Sequence, residues 1–352
     1  MAQSPENQEN INLNAGEDPT AATRKHDHIA LAFKSQLGEA VLDRRFYYEP
    51  LLAAHPNAST LQPFAFLGKT FKLPFWVSSM TGGTLLANKI NYNLAKAAGE
   101  YGFGMGLGSC RGLLYSDEYL KDFAVRKVMG YDVPLFANLG IAQIEKLIAE
   151  NKLVLITEML KKLEADGLII HVNPMQEWLQ PEGDKIEVAP IETIKKMLEF
   201  TSIPLIVKEV GQGMGKESLK ALLALPLLAV DFAAYGGTNF AQLELLRSEA
   251  SKQEVYQALA VVGHSATEMV GFVNEILAEK QTNIQAKHVI ISGGIKNFLD
   301  GYYATQKLQM SCIYGQASAF LRHAQVCYED LQAYIETQKQ GLAFAQSFLR
   351  VR

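Results

Sequence analysis

The chain has 352 residues and a mass of 38.9 kDa, with 48% hydrophobic and 20% charged residues. That composition excludes wholesale disorder and a collagen-like fibre, and it leaves ample chain for a large core. The net charge of -4, from 33 basic and 37 acidic side chains, lacks the basic excess of a nucleic-acid protein, though local Lys, Arg and backbone N–H groups suffice for an anionic substrate.

Residues 1–23 are rich in Asn, Gln, Glu and Pro and nearly devoid of large apolar side chains, so a disordered tail is expected there. The tail lacks the basic and apolar regions of a signal peptide. Order is expected from Arg24, with residues 24–352 forming one domain. Cys110, Cys312 and Cys327 are odd in number and include no CxxC pair, which speaks against a disulfide framework or a structural zinc and for a reducing compartment. The longest apolar run, residues 221–230, contains Pro226 and is too short to span a bilayer. A cytoplasmic protein is expected, with no membrane and no nucleic-acid partner.

From Phe75 onward, short apolar runs end in Gly, Ser or Asn, and amphipathic segments follow them. The runs are FWVSSM (75–80), GFGMGL (102–107), VPLFANL (133–139), GLIIHVN (167–173), PLIVKEV (204–210), LLAVDFAAY (227–235), HVIISGG (288–294) and MSCIYGQAS (310–318). Nearly continuous apolar runs fit strands buried on both faces. The segments between them have helical spacing; Ile191, Ile194, Met197 and Leu198 can share one face. Strand and helix in alternation imply a parallel sheet with right-handed crossovers. Eight such units in about 250 residues predict an α/β fold of the TIM (β/α)8-barrel type behind the disordered tail. An open dinucleotide fold would carry G-x-G-x-x-G after its first strand, and no segment fits. Residues 241–287 are long for one crossover and have room for an extra helix.

Polar and small residues collect at the C-terminal ends of these runs, where barrel active sites lie. Gly-Gly after a strand is often only a tight turn. Gly293-Gly294 and Gln316-Ala317 follow the seventh and eighth runs, however, where barrels often bind phosphate through backbone N–H groups. Lys208 lies inside an apolar run, so it is either ion-paired, for instance with Glu209, or set against an anionic or electron-rich cofactor. His171 and Asn173, at i and i+2, point the same way from one strand. Alone, His171 reads as a satisfied core histidine, and Gln176, Glu177, Gln180, Glu182 and Asp184 read equally as a solvated loop. A single carboxylate such as Glu177 beside a bound phosphate suits Mg²⁺. Arg24 and Lys25, within RKHDH, suit a phosphate or diphosphate clamp better than a metal site, unless they form an ordinary solvated charge run. Gly68-Lys69-Thr70 resembles the end of a Walker A loop, but Pro63 stands where its first Gly must be.

Taken together, RKHDHI, SSMTGG, GSCR, ANLG, HVNPMQEWLQPEGD, VKEVG, GGTNFAQLE and SGGIK, in this order from Arg24 to about Leu321, resemble the type 2 isopentenyl diphosphate isomerases. These are FMN-dependent TIM-barrel enzymes of isoprenoid biosynthesis. The resemblance implies FMN contacts from Ser79, Met80, Thr81, Ser109, Asn138, Lys208 and Thr238, with the FMN phosphate on Gly293, Gly294, Gln316 and Ala317. It implies a diphosphate substrate held by Arg24, Lys25, Ser109, Arg111, His171 and Asn173, and Mg²⁺ on Glu177. It sets Gln176 beside the reacting alkene, supported by Glu244, with NADPH needed only to reduce the flavin and a homotetramer or larger homo-oligomer as the assembly. Cys110, Asn239, Phe240 and Lys296 depart from the family pattern, where Gln, Ser, Trp and Arg are usual, all near the implied flavin site. The competing readings are an FMN-dependent oxidoreductase of the 2-hydroxy acid oxidase type and a non-catalytic flavin- or phosphate-binding barrel.

Overall fold

A computed structural model describes residues 20–79, 85–279 and 283–352. The expected tail, as far as residue 19, and the flavin contacts expected of Met80 and Thr81 lie outside the described residues.

The chain divides into two compact units, the first ending at Arg45 and the second spanning Phe46–Arg352. The single domain expected over 24–352 thus crosses this boundary. The first unit carries the helix Ala21–Leu31, so helix begins at Ala21 rather than Arg24 and claims the last residues of the expected tail. Ala, Arg and Lys favour helix without needing a buried face, and residues 23–31 are all exposed.

The second unit is built on eight strands: β1 (Phe75–Val77), β2 (Gly104–Gly106), β3 (Leu135–Gly140), β4 (Gly167–His171), β5 (Leu205–Lys208), β6 (Ala229–Asp231), β7 (His288–Ser292) and β8 (Cys312–Gln316). Every neighbouring pair is parallel, and β8 returns to β1, closing the barrel. Seven of these strands fall inside the apolar runs, β3 overruns its run by Gly140 alone, and most strand residues are buried on both faces. The interior is filled by interlocking sizes. The Trp76 ring is fully buried, and a Cβ on Gly104 would stand 2.5 Å from it. Residues 190–200 form the expected helix, with Ile194 and Met197 buried and Ile191 and Leu198 partly so.

Among the described residues, the long stretch after β6 holds three helices, Phe240–Leu246, Ala250–Ala260 and Ala266–Ala278. Phe46–Tyr48 pairs antiparallel with Leu349–Val351. The Walker-like Gly68-Lys69-Thr70 belongs to the hairpin Phe64–Phe66/Lys69–Phe71, whose turn residues Leu67 and Gly68 have φ of 50° and 76°; a tight two-residue hairpin favours that left-handed geometry. No described helix is long and apolar enough to cross a membrane.

Candidate active site

The ends of β1, β5, β6, β7 and β8 surround one cavity, lined among others by Ser78, Ser79, Lys208, Gly237, Thr238, Phe240, Gly293, Gly294, Gln316 and Ala317. Its wall brings backbone close. Gly293 and Gly294 both have positive φ, 85° and 72°, and a Cβ on Gly293 would stand 2.0 Å from the Ala234 carbonyl oxygen. Only glycine fits there. Ala233 is itself left-handed, at φ 43°, and its N–H donates to Ser292 Oγ at 2.9 Å. A non-glycine residue in this region costs of order 1 kcal/mol or more, so the surroundings hold it there. Among the described residues, the Oγ atoms of Ser78 and Ser79 are buried without a hydrogen-bond partner. Two orphaned hydroxyls beside a glycine cradle suit a polar, anionic group.

Lys208 ends β5 and is buried. Burial lowers its pKa, and the charges of Asp231 and Glu209 oppose that shift. Asp231, fully buried, is its register partner on β6. One Asp231 oxygen accepts from Ser292 Oγ at 2.5 Å and the other has no hydrogen-bond partner among the described residues. Glu209, the partner offered by the sequence, instead turns one oxygen to the N–H groups of Gly211, Gln212 and Gly213 at 2.6, 2.6 and 3.1 Å. It therefore fixes the loop that lines the cavity beyond β5.

On the other side of Lys208, His171 ends β4. Asn138 Nδ2 donates to the Leu107 carbonyl at 3.1 Å, so its Oδ1 faces His171 Nδ1 at 2.8 Å. An amide oxygen only accepts, so Nδ1 carries the proton and Nε2 keeps its lone pair. Burial, reinforced by the Lys208 charge, pushes the His171 pKa down to about 3, and the ring is neutral at neutral pH. Asn138 is thus engaged with His171 and is not among the residues lining the glycine-walled cavity.

After β4, Pro174 opens the short helix Pro174–Leu179, as Pro can at a first helical position. Asn173 Nδ2 donates to Gln176 Oε1 at 3.1 Å and to Glu177 Oε1 at 2.9 Å. Gln176 Nε2 donates to Glu244 Oε1 at 3.2 Å. Glu177 Oε2 accepts from the Asp184 N–H at 2.7 Å. The stretch with a solvated-loop reading is therefore a connected hydrogen-bond network. Ser109 and Arg111, after β2, are exposed, and Arg111 pairs with Asp184 at 2.6 Å. Arg24 and Lys25 belong to the first unit and are exposed on its helix.

Of the four departures from the family pattern, only Phe240 lines the cavity. Asn239 caps the helix Phe240–Leu246, accepting from Gln242 N–H at 2.9 Å. Cys110 is buried, with its pKa pushed up to about 12, and Lys296 is exposed. Sequence reasoning missed Asp231, although a carboxylate inside the run LLAVDFAAY carries the same signal that singled out Lys208. Among the described residues no group of three or more His, Cys, Asp or Glu converges on one point. A metal at Glu177 would therefore draw on one or two protein ligands and on substrate oxygens, as Mg²⁺ does.

A closed parallel barrel with its polar network and glycine cradle on the C-terminal rim defines a (β/α)8-barrel enzyme. Solved structures agree on the fold. A mandelate oxidase mutant with (S)-mandelic acid superimposes with a TM-score of 0.55 at 14% identity, over 88% of this chain and 86% of that one. A mandelate oxidase mutant with a monooxide FMN adduct gives 0.54 at 14% identity, over 88% of both. No family model matches the chain. Curated relatives are much nearer in sequence. Isopentenyl-diphosphate delta-isomerase of Rickettsia felis is 33% identical over 325 residues, covering 90% of each chain. The enzymes of the same name from Rickettsia typhi and Rickettsia rickettsii (strain Sheila Smith) are 34% and 35% identical, each over 90% of this chain and 91% of theirs. The chain belongs to the isopentenyl-diphosphate delta-isomerase family.

Proposed function

We propose that the chain interconverts isopentenyl and dimethylallyl diphosphate by the type 2, FMN-dependent route. One observation carries the reading: the Asn173–Gln176–Glu177–Glu244 network sits on the rim of a barrel with a glycine cradle, in a chain of this family. The reaction is a 1,3-allylic shift. One proton is added to the terminal alkene carbon and one is lost from C2, so no electrons are transferred on balance.

The cavity suits FMN. Gly293, Gly294, Gln316 and Ala317 would hold its phosphate, and Ser79, Thr238 and Lys208 its ring system. Reduced FMN, when bound, supplies an acid–base group and an electron-rich ring at the reacting carbons. Lys208, poised between Asp231 and His171, supplies a buried donor to that ring. Gln176, held at both ends of its amide, orients the alkene. Glu177 would hold Mg²⁺ on the diphosphate, while Asn173, His171, Ser109 and Arg111 would bind its oxygens. That binding keeps the diphosphate from leaving when positive charge develops. Arg111 must exchange Asp184 for substrate to take part. NADPH enters only as the flavin reductant, and a homo-oligomer is the proposed assembly.

The test is anaerobic turnover of isopentenyl diphosphate in D₂O with FMN, Mg²⁺ and excess NADPH, followed by NMR. Deuterated dimethylallyl diphosphate without stoichiometric loss of NADPH is expected. Absence of product with bound, reducible flavin would overturn the proposal and point to the oxidation of a small hydroxy acid.

A further inference from the structure

We infer that Arg247 is a positioning residue for this reaction, clamping the Gln176–Glu244 pair to the loop that holds Glu177; the inference rests on the isomerase reading of the rim. Arg247 caps the C-terminal end of the helix Phe240–Leu246. Its Nη1 meets Glu244 Oε2 at 2.5 Å, and its Nη2 meets Glu182 Oε1 at 2.6 Å. One planar guanidinium therefore bridges two carboxylates on separate segments.

The two carboxylates do different things. Glu244 is 2% exposed, and its other oxygen accepts from Gln176 Nε2. A buried carboxylate needs a partner, and Arg247 is that partner. With one Glu244 oxygen on the guanidinium and the other accepting from Gln176 Nε2, the Gln176 amide presents its NH₂ to Glu244 and its oxygen to Asn173. The amide orientation is thereby set from both sides. Glu182 belongs to the loop that runs on to Asp184, whose N–H holds Glu177 Oε2. Through Glu182 the same guanidinium tethers the segment that orients the proposed metal carboxylate.

Apolar packing gives this region little other support. Leu179, Ala241, Leu245 and Ala260 form a small cluster of their own, apart from the barrel core. A clamp made of charge-assisted hydrogen bonds can hold an amide to within tenths of an ångström where so small a core cannot, and a misplacement of 1 Å can cost about a hundredfold in rate.

The test compares R247A, R247K and E182Q with the parent in the flavin-loaded enzyme, reading kcat and KM for isopentenyl diphosphate, the FMN dissociation constant and the melting temperature. R247A is expected to lower kcat by about 10- to 100-fold, with the FMN dissociation constant within about twofold of the parent. R247K should restore part of kcat, because one ammonium keeps the charge but cannot fork to both carboxylates. E182Q should lower kcat by less than R247A. An active parent with an equally active R247A would overturn the inference alone. So would a loss that R247K does not relieve and that runs parallel to lost flavin affinity and melting temperature. A parent without turnover would overturn the isomerase reading and this inference with it.

Discussion

The barrel wall and the lobe on its rim are held together in opposite ways. The barrel draws on one continuous core that includes Trp76, Phe75, Phe103, Met105, Phe136 and Tyr314, all nearly inaccessible. The lobe of helices Pro174–Leu179, Phe240–Leu246 and Ala250–Ala260 has four buried apolar side chains of its own. Polar ties supplement them: Lys252 Nζ to the Leu179 carbonyl at 2.6 Å, Asn239 Nδ2 to the Ala260 carbonyl at 2.6 Å, and the Arg247 bridge. The glycine cradle and Lys208 stand on the barrel, whereas Gln176, Glu177 and Glu244 stand on the lobe. The difference suits two tasks. A cofactor cradle gains from rigidity, and a region that must admit substrate is drawn from the less stable end of the structure.

Trp76→Ala should give the largest effect. Removing a fully buried ring costs about 3–5 kcal/mol, and Gly104 offers no side chain to refill the space. Urea denaturation should show this loss, with flavin binding and turnover failing together. Leu245→Ala should act differently. It should lower hydrogen-exchange protection in the helix Phe240–Leu246 by about 2–3 kcal/mol while leaving the barrel strands almost unchanged. Equal loss of protection in both regions would show that the lobe is not a separate unit of stability.

The smallest effect is a pH dependence on the barrel side. His171 has its pKa lowered from its ordinary value of 6.5 to about 3, so the folded state prefers the neutral ring. Its contribution to stability is complete above pH 6.5 and is lost as pH falls toward 3. The slope is at most about 1.4 kcal/mol per pH unit. His171→Gln should flatten the stability profile between pH 6.5 and 5.5 relative to the parent. An unchanged slope would mean that the ring is not held neutral.

The same contrast governs what the sequence made legible. All eight barrel strands coincide with their apolar runs to within one residue, because a strand buried on both faces leaves a compositional mark. Lys208 was legible for the complementary reason, as the one charge within the strand Leu205–Lys208. The lobe was not legible from pattern alone. Gln176, Glu177 and Glu182 are ordinary loop residues until the fold brings Glu244 and Arg247 beside them, 60 or more positions along the chain. Pattern placed Gln176 and Glu177 near the rim with a solvated loop as the rival reading, only the resemblance singled out Glu244, and it passed over Arg247. The pairing of Asn138 with His171 is likewise a product of barrel register.

The most direct measurement is Gln176→Ala in the reduced, flavin-loaded enzyme, with the FMN dissociation constant and kcat determined on the same preparation. The division of labour between barrel and lobe predicts an FMN dissociation constant within about twofold of the parent and a kcat lower by about 100-fold or more. Unchanged turnover, or parallel loss of turnover and flavin affinity, would contradict it.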